Sequence, residues 1–167
     1  MNILGIDPGS KKMGFSILVD GEYSRSWWAD LRSNTNIYIQ TYEAVLSAFR
    51  VLESNYRLTA DDLVVIEDFF PRGNGAKLLL KVIGVIMLVL ARHDIPYIEV
   101  VPNAVKASMC GKIKTPKNLK EKKMLMINAV NQRFNTNIKD DNEADAVAIA
   151  YCGYLKEGAD RAEIDKI

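Results

Sequence analysis

Three acidic residues occupy positions that are typical of a catalytic site. Asp7 and Glu67 each follow a short apolar run typical of a buried strand, and Asp145 precedes an almost wholly apolar stretch. Carboxylates brought together repel one another unless a cation lies between them, and their hard oxygens suit Mg²⁺ or Mn²⁺. Two such ions, about 4 Å apart, would activate a water and stabilise the leaving oxygen in phosphodiester hydrolysis. The pattern therefore predicts a metal-dependent hydrolytic site.

Each position also has a purely structural interpretation. Asp7 begins the turn 8–10, where Asp commonly hydrogen-bonds its own backbone. The acidic cluster 140–145 would cap a helix and complement its dipole. Capping leaves Asp145 unexplained, because it would lie about one turn inside the helix. On that helix Asp145 shares a face with residues 141 and 142, so two or three oxygen ligands would point one way.

A lysine-rich segment precedes the acidic cluster. Residues 106–123 contain seven lysines and one acid, a local net charge of +6. Such a run is often only a solvated surface. Next to a carboxylate pocket, however, it suits a polyanion that is bound by the lysines and cut at the pocket. Phe69 and Phe70, directly after Glu67, add aromatic rings that could stack on an unpaired base.

Composition indicates a soluble globular protein. The 167 residues are 49% apolar and 26% charged, with a net charge of +1. We expect one domain at residues 1–156 and a charged, frayed tail at 157–167. Cys110 and Cys152 lack metal-type spacing, so we expect them to be reduced in the cytoplasm. We expect no leader peptide and no membrane association, because the most apolar run, Leu78–Leu90, is too short to span a bilayer.

Hydrophobic periodicity and turn signals predict five strands and five helices. Strands are expected at Ile3–Ile6, Met13–Val19, Glu22–Ala29, Leu63–Ile66 and Pro96–Val101. Helices are expected at Thr35–Tyr56, Ala76–His93, Asn103–Met109, Asn118–Phe134 and Ala144–Leu155. We expect Asp20-Gly21 to form a hairpin turn, a cap near Asn34 or Thr35, and Trp27 and Trp28 on opposite faces.

The order of these elements predicts an α/β fold: a five-stranded mixed sheet flanked by helices, antiparallel on one side and parallel on the other. A right-handed crossover would place the fourth strand parallel to the first and next to it. Asp7 and Glu67 would then lie at the same end of the sheet, where open α/β sheets bind ligands.

Four motifs, in order, resemble the RuvC-type Holliday-junction resolvases of the ribonuclease H-like superfamily. The motifs are Ile3-Leu-Gly-Ile-Asp7-Pro-Gly-Ser10, Val65-Ile-Glu67-Asp-Phe-Phe70, Val101-Pro102 with Val105-Lys106 and Gly111, and Glu143-Ala-Asp145-Ala-Val-Ala-Ile-Ala150. The resemblance covers roughly residues 2 to 155. It implies a ribonuclease H-like fold and a homodimer that acts in DNA recombination and repair. Such dimers bind four-way DNA junctions and make paired nicks with Mg²⁺ or Mn²⁺.

The resemblance also implies residue roles. Asp7, Glu67 and Asp145 match the family's metal-binding catalytic residues. Phe70 matches an aromatic that stacks near the centre of the junction. Lys106 and Lys122 match lysines that contact DNA or support cleavage.

One position departs from the family pattern. The family usually has a fourth acid three residues before the last Asp, and here that place is Asn142, between Asp141 and Glu143. Either Asn142 ligates the metal through its amide oxygen, or a one-residue shift brings in Asp141. The choice between Mg²⁺ and Mn²⁺ is open, and so is the cleavage preference, which is relaxed in some viral members.

Two other functions fit the same residues. The chain could be a broader debranching nuclease for branched DNA. It could also be a junction-binding protein with weak or no cleavage, although unused buried carboxylates would be costly. An actin-like kinase shares the ribonuclease H-like core but needs two such domains, so we expect no nucleotide cofactor. The apolar helix Leu78–Leu90 favours a homodimer, because one face of a single sheet does not require so many apolar residues.

Overall fold

The structure is a computed structural model that describes residues 1–32, 36–56, 62–68, 76–111 and 118–157. The predicted stacking residue Phe70, the connection 57–61 and the tail from residue 158 lie outside the described residues. The strands are β1 Asn2–Asp7, β2 Lys12–Val19, β3 Glu22–Asp30, β4 Leu63–Glu67 and β5 Tyr97–Val100. The helices are α1 Ile37–Asn55, α2 Ala76–Arg92, α3 Pro102–Cys110, α4 Leu119–Phe134 and α5 Asp141–Glu157.

The strands form one mixed sheet in the order β3-β2-β1-β4-β5. Strand β1 pairs antiparallel with β2 and parallel with β4, as the sequence predicts. Ile6 is opposite Ile66 in the parallel pair, so the next residues, Asp7 and Glu67, lie side by side at the carboxyl ends of their strands. The β2–β3 hairpin turns at Asp20 and Gly21, whose φ angles of 50° and 82° are those of the tight turn expected there.

Alternating side chains divide the sheet into two apolar layers. Ile3 and Val65 point toward α3, α4 and α5, whereas Leu4 and Ile66 point toward α1 and α2. On β3 the same alternation separates the tryptophans, as predicted. Trp27 stacks on Phe15 with ring centroids 5.4 Å apart, and Trp28 is partly exposed under the ammonium of Lys12.

Helix α5 packs unusually close to β1 and β2, because both strands present a glycine to it. A Cβ atom on Gly5 would collide with Ala146 and Ala150, and one on Gly14 would collide with the backbone of Asn142. A buried hydrogen bond from the Ser16 hydroxyl to the Ala146 carbonyl, 2.8 Å long, fastens the same contact. The N-terminal turns of α5 are thereby brought beside the carboxyl end of β1.

Two predicted helix starts are wrong, each for a local reason. Helix α1 begins at Ile37, because the side chain of Asn36 accepts the backbone N–H of Tyr38 at 2.9 Å. Helix α5 begins at Asp141 instead of Ala144. The side chain of Asp140 accepts the backbone N–H of Asn142 at 3.0 Å, and its carbonyl accepts that of Ala144 at 3.2 Å. The predicted polar turn 139–142 therefore already contains the first residues of the helix.

No helix within the described ranges is long and apolar enough to cross a membrane.

We expect Gly5→Ala to lower the free energy of unfolding by more than about 2 kcal/mol, because the added methyl group would push α5 away from β1. Gly84→Ala is the matched control. Gly84 lies on α2 with open space around it in the single chain, so that change should stabilise the helix by up to about 1 kcal/mol when unfolding is measured at a concentration too low for self-association. Urea unfolding followed by circular dichroism measures both. Equal stabilities of Gly5→Ala and the wild type would contradict the close contact.

Candidate active site

Four carboxylates from three elements form what we call the acidic centre: Asp7, Glu67, Asp141 and Asp145. Asp7 and Glu67 are the last residues of the parallel neighbours β1 and β4. Asp141 begins α5, and Asp145 lies one turn further along the helix, at the spacing that puts both on one face. The structure thus brings together the three acids that the sequence singled out and places with them Asp141, one of the two candidates for the fourth ligand.

The acids of this centre destabilise one another as anions. Burial raises the pKa of Asp7 well above its usual range, and the charges of Asp145, Glu67 and Asp141 raise it further. Burial, followed by the charges of Glu67 and Asp141, raises the pKa of Asp145 to about 7. The pKa of Glu67 is also raised, by burial above all. Such mutual repulsion indicates that the centre lacks positive charge.

Three lysines partly compensate this charge. Lys123 of α4 forms an ion pair with Asp141, and Lys12 of β2 forms one with Asp140 at 2.7 Å. Lys106 of α3 lies near enough to oppose the rise in the pKa of both Glu67 and Asp145. Lys106 was expected from the family resemblance, whereas the pairing of Lys12 and Lys123 with acids was not, because ion pairs between distant segments leave no local pattern in the sequence.

A cleft of about 380 Å³ opens beside Asp145. Its lining combines lysines with apolar side chains: Lys106, Lys122, Lys123, Cys110, Leu119 and Met126. Both lysines that the resemblance assigned to DNA, Lys106 and Lys122, therefore border the cleft next to the acidic centre. Burial, and then the charge of Asp145, raise the pKa of the Cys110 thiol, so the thiolate is disfavoured there.

The residues around the family's fourth acidic position are engaged differently. The Asn142 side-chain amide donates to Asp140 at 2.9 Å, and Glu143 accepts a hydrogen bond from the Ser26 hydroxyl at 2.8 Å. Asp141, in contrast, acts electrostatically on both Asp7 and Asp145. Asp140 has a capping role: although burial pushes its pKa up, hydrogen bonds from Lys12 and Asn142 outweigh burial and lower it.

The acidic centre does not form a closed set of ligands. In the part of the chain that the structure describes, no three His, Cys, Asp or Glu side chains lie close enough together to hold a metal ion. The donors nevertheless fit a hard divalent cation, because they are carboxylate oxygens whose pKa values are raised by burial and then by the charges of neighbouring acids. A cation between them would relieve the repulsion between these carboxylates.

Comparison with known proteins agrees with this geometry. The sequence pattern of the family described as "Crossover junction endodeoxyribonuclease RuvC" matches residues 3–153. The chain belongs to the RuvC family. The RuvC protein of Carboxydothermus hydrogenoformans is 28% identical over 95% of this chain and 98% of its own length. That of Gloeobacter violaceus is 30% identical over 93% of this chain and 88% of its own length.

Solved structures of a RuvC protein share the fold. The structure titled "T. thermophilus RuvC in complex with Holliday junction substrate" matches with a TM-score of 0.72, covering 95% of this chain and 97% of the other. A second Thermus thermophilus RuvC structure also gives 0.72. At 17% and 19% identity these likenesses concern the fold alone. The RuvC resemblance and the ribonuclease H-like α/β sheet predicted from the sequence are both confirmed.

We expect Asp145→Asn to stabilise the metal-free protein at pH 8. The pKa of Asp145 rises from 3.8 to about 7, so the folded state binds more protons between these values. The stability that this protonation contributes is present below pH 3.8 and is lost as the pH rises through 7. Removing the charge should recover up to about 3 kcal/mol, or roughly 6–12 °C in Tm.

Thermal unfolding in EDTA at pH 8 and pH 5 measures this difference, which should be much smaller at pH 5. Asp30→Asn is the control with the opposite sign, because hydrogen bonds from Arg32 lower the pKa of exposed Asp30 to about 2. The Asp30→Asn variant should show no increase in Tm over the wild type at pH 8. A gain for Asp145→Asn that is equal at both pH values would contradict the electrostatic explanation.

Proposed function

We propose that this chain resolves four-way DNA junctions by paired phosphodiester hydrolysis, with residues 1–156 acting as one nuclease domain. The observation that carries the proposal is the convergence of Asp7, Glu67 and Asp145 beside a lysine-bordered cleft, in a chain of the RuvC family. Branched DNA is the proposed substrate, because a protein of the same fold is described in complex with a Holliday junction. The activity in the family's description, crossover junction endodeoxyribonuclease, requires only the chemistry that such a centre supplies.

Asp7, Glu67 and Asp145 are the proposed metal-binding catalytic residues. The metal dependence belongs to the family's chemistry, and we propose Mg²⁺ or Mn²⁺, with two ions per site, because all the donors are hard oxygens. When bound, such ions lower the pKa of an attacking water and stabilise the leaving oxygen. As the fourth ligand we favour Asp141, which acts on Asp7 and Asp145, over Asn142, whose amide is held by Asp140.

The lysines of the cleft are the proposed contacts to the DNA backbone. Lys106 is exposed and lies near both Glu67 and Asp145, so a phosphate held by its ammonium would lie next to the acidic centre. Lys122 lines the same cleft from α4. Contacts of this kind position the strand without reading its sequence, as the recognition of a branched shape requires. Stacking of Phe70 on a base at the junction stays a prediction.

We expect wild-type protein to make paired, symmetric nicks in a synthetic four-way junction with Mg²⁺ or Mn²⁺ and to leave a matched linear duplex intact. Asp7→Asn should reduce the rate by about 10²-fold or more, because it removes a charge from the proposed metal site. Asp94→Asn is the control: this exposed acid lies before β5, away from the site, and its φ of 50° tolerates Asn. Denaturing gels of end-labelled junctions give the rates.

Two outcomes would replace the proposal with its alternatives. Cleavage of flaps and other branched forms at the rate of the four-way junction would indicate a broader debranching nuclease. Tight junction binding without cleavage in either metal would indicate a binding protein in which Asn142 has disabled the site.

A homodimer is the proposed assembly, because the outer face of α2 is apolar. Leu78, Leu80 and Leu88 are 40%, 45% and 64% exposed, and Tyr38 and Ile39 of α1 are exposed as well. A second copy covering this face would bury it and would supply a second acidic centre for the opposite DNA strand.

We expect Leu88→Glu to shift the chain from dimer to monomer at micromolar concentration, because a buried charge would be left without a partner in the interface. Sedimentation velocity measures the shift, and the cleavage products should change from paired to single nicks. Leu119→Glu, an equally exposed leucine on α4, should leave the sedimentation coefficient unchanged. A wild type that sediments as a monomer would contradict the homodimer.

A further inference from the structure

Lys123 stands between two clefts that border the acidic centre. It lines the cleft of about 380 Å³ that contains Asp145. It also lines an open cleft of about 430 Å³ formed by residues 9–12, Arg32, Asp141 and Asn142. Its ammonium forms an ion pair with Asp141, and the two side chains remain 48% and 30% exposed. Both partners are therefore reachable from solvent.

The charge of Lys123 acts on more than its direct partner. Its pKa is raised first by the hydrogen bond to Asp141; burial lowers it, and the charges of Asp141, Asp145 and Asp140 raise it further. Two neighbouring lysines act on other acids: Lys12 pairs with Asp140, and Lys106 lies near Glu67 and Asp145. Among the described residues, Lys123 is the cation that forms an ion pair with Asp141, the carboxylate that acts on both Asp7 and Asp145.

We propose that Lys123 is a built-in counter-ion of the metal-free acidic centre and that it competes with the divalent cation for Asp141. This inference rests on the proposed metal-dependent function. An ammonium group and a divalent ion cannot both lie against one carboxylate without strong repulsion. Lys123 can yield, because a half-exposed lysine has a flexible four-carbon stem that moves without displacing α4. Lys123 is thus a positioning residue for Asp141.

The proposal predicts that removing the charge of Lys123 raises the affinity for the metal ion and lowers the stability of the metal-free protein. Lys123→Met keeps most of the apolar stem and removes the charge. We expect it to bind Mn²⁺ about three- to tenfold more tightly than the wild type, because a competing cation has been removed. We expect its Tm in EDTA at pH 8 to fall, because the acids lose their counter-charge, and to recover in saturating Mn²⁺. A merely structural lysine would weaken both metal binding and stability when replaced.

The matched control is Lys122→Met. It removes the same charge from the next residue of α4, which lines the same cleft. Lys123→Arg should restore wild-type affinity, because it returns a cation to Asp141. Lys123→Gln is a second neutral variant, which keeps the test open if the methionine variant is poorly soluble.

The experiment is Mn²⁺ titration by isothermal calorimetry on the full chain at pH 8, without DNA, together with thermal unfolding with and without Mn²⁺. Tighter Mn²⁺ binding by Lys123→Met than by Lys122→Met, with rescue by Lys123→Arg, would support the competition. Equal affinities of the two methionine variants, with Mn²⁺ binding by the wild type that Asp7→Asn abolishes, would overturn this inference alone. No Mn²⁺ binding by the wild type would overturn the proposed metal site, and this inference with it.

Discussion

The close contact of α5 with β1 and β2 is the constraint on which the rest of the structure depends. Ten of the 17 residues of α5 are buried, and the two glycines that face the helix let its backbone approach β1 and β2 closely. A hydrogen bond from Ser16 to the backbone of Ala146 fixes the helix on β2. Since Asp145 precedes Ala146, the packing that holds the core together also determines how near Asp145 comes to Asp7. The contact of α5 with β1 and β2 therefore determines both the packing of the core and the position of Asp145.

That packing has an electrostatic cost. It holds Asp7 and Asp145 in partly buried positions, where burial raises the pKa of both and the charge of Asp145 raises that of Asp7 further. The compensating lysines come from β2, α3 and α4, whereas the acids of the acidic centre come from β1, β4 and α5. The acids and the lysines that compensate their charge therefore lie on different elements. The acidic centre is stable only when helices α3, α4 and α5 are packed on the sheet. Sites that bind cations commonly carry such stored repulsion at the expense of stability.

Much of the fold followed from local patterns in the sequence. An apolar run that ends in an acid predicted both β1 with Asp7 and β4 with Glu67, and the rule for crossover connections placed these strands side by side. The turn at Asp20-Gly21 and the opposite faces of Trp27 and Trp28 were equally local, and the structure confirms them.

Other features depend on pairs that no local pattern encodes. The start of α5 depends on which acid of the cluster 140–145 caps the helix, and several of these acids could do so. That capping residue, Asp140, also fixes Asn142, so the sequence could not decide between Asn142 and Asp141 as a ligand. The pairing of Lys12 with Asp140 joins residues 128 positions apart. The ion pair of Lys123 with Asp141 joins two helices, so the sequence could not show which of the seven lysines in 106–123 is the partner of Asp141.

The parallel pairing of β1 with β4 has a consequence for the order in which the protein becomes competent. During synthesis residue 7 emerges well before residue 145, and β1 can pair with β4 only after some sixty further residues exist. Non-local pairings of this kind form late in folding, because chain entropy must be lost before the contacts repay it. The acidic centre therefore assembles only once both the β1–β4 pair and α5 have formed. Before residues 141–157 exist, the chain holds only two of the four acids of the acidic centre, Asp7 and Glu67.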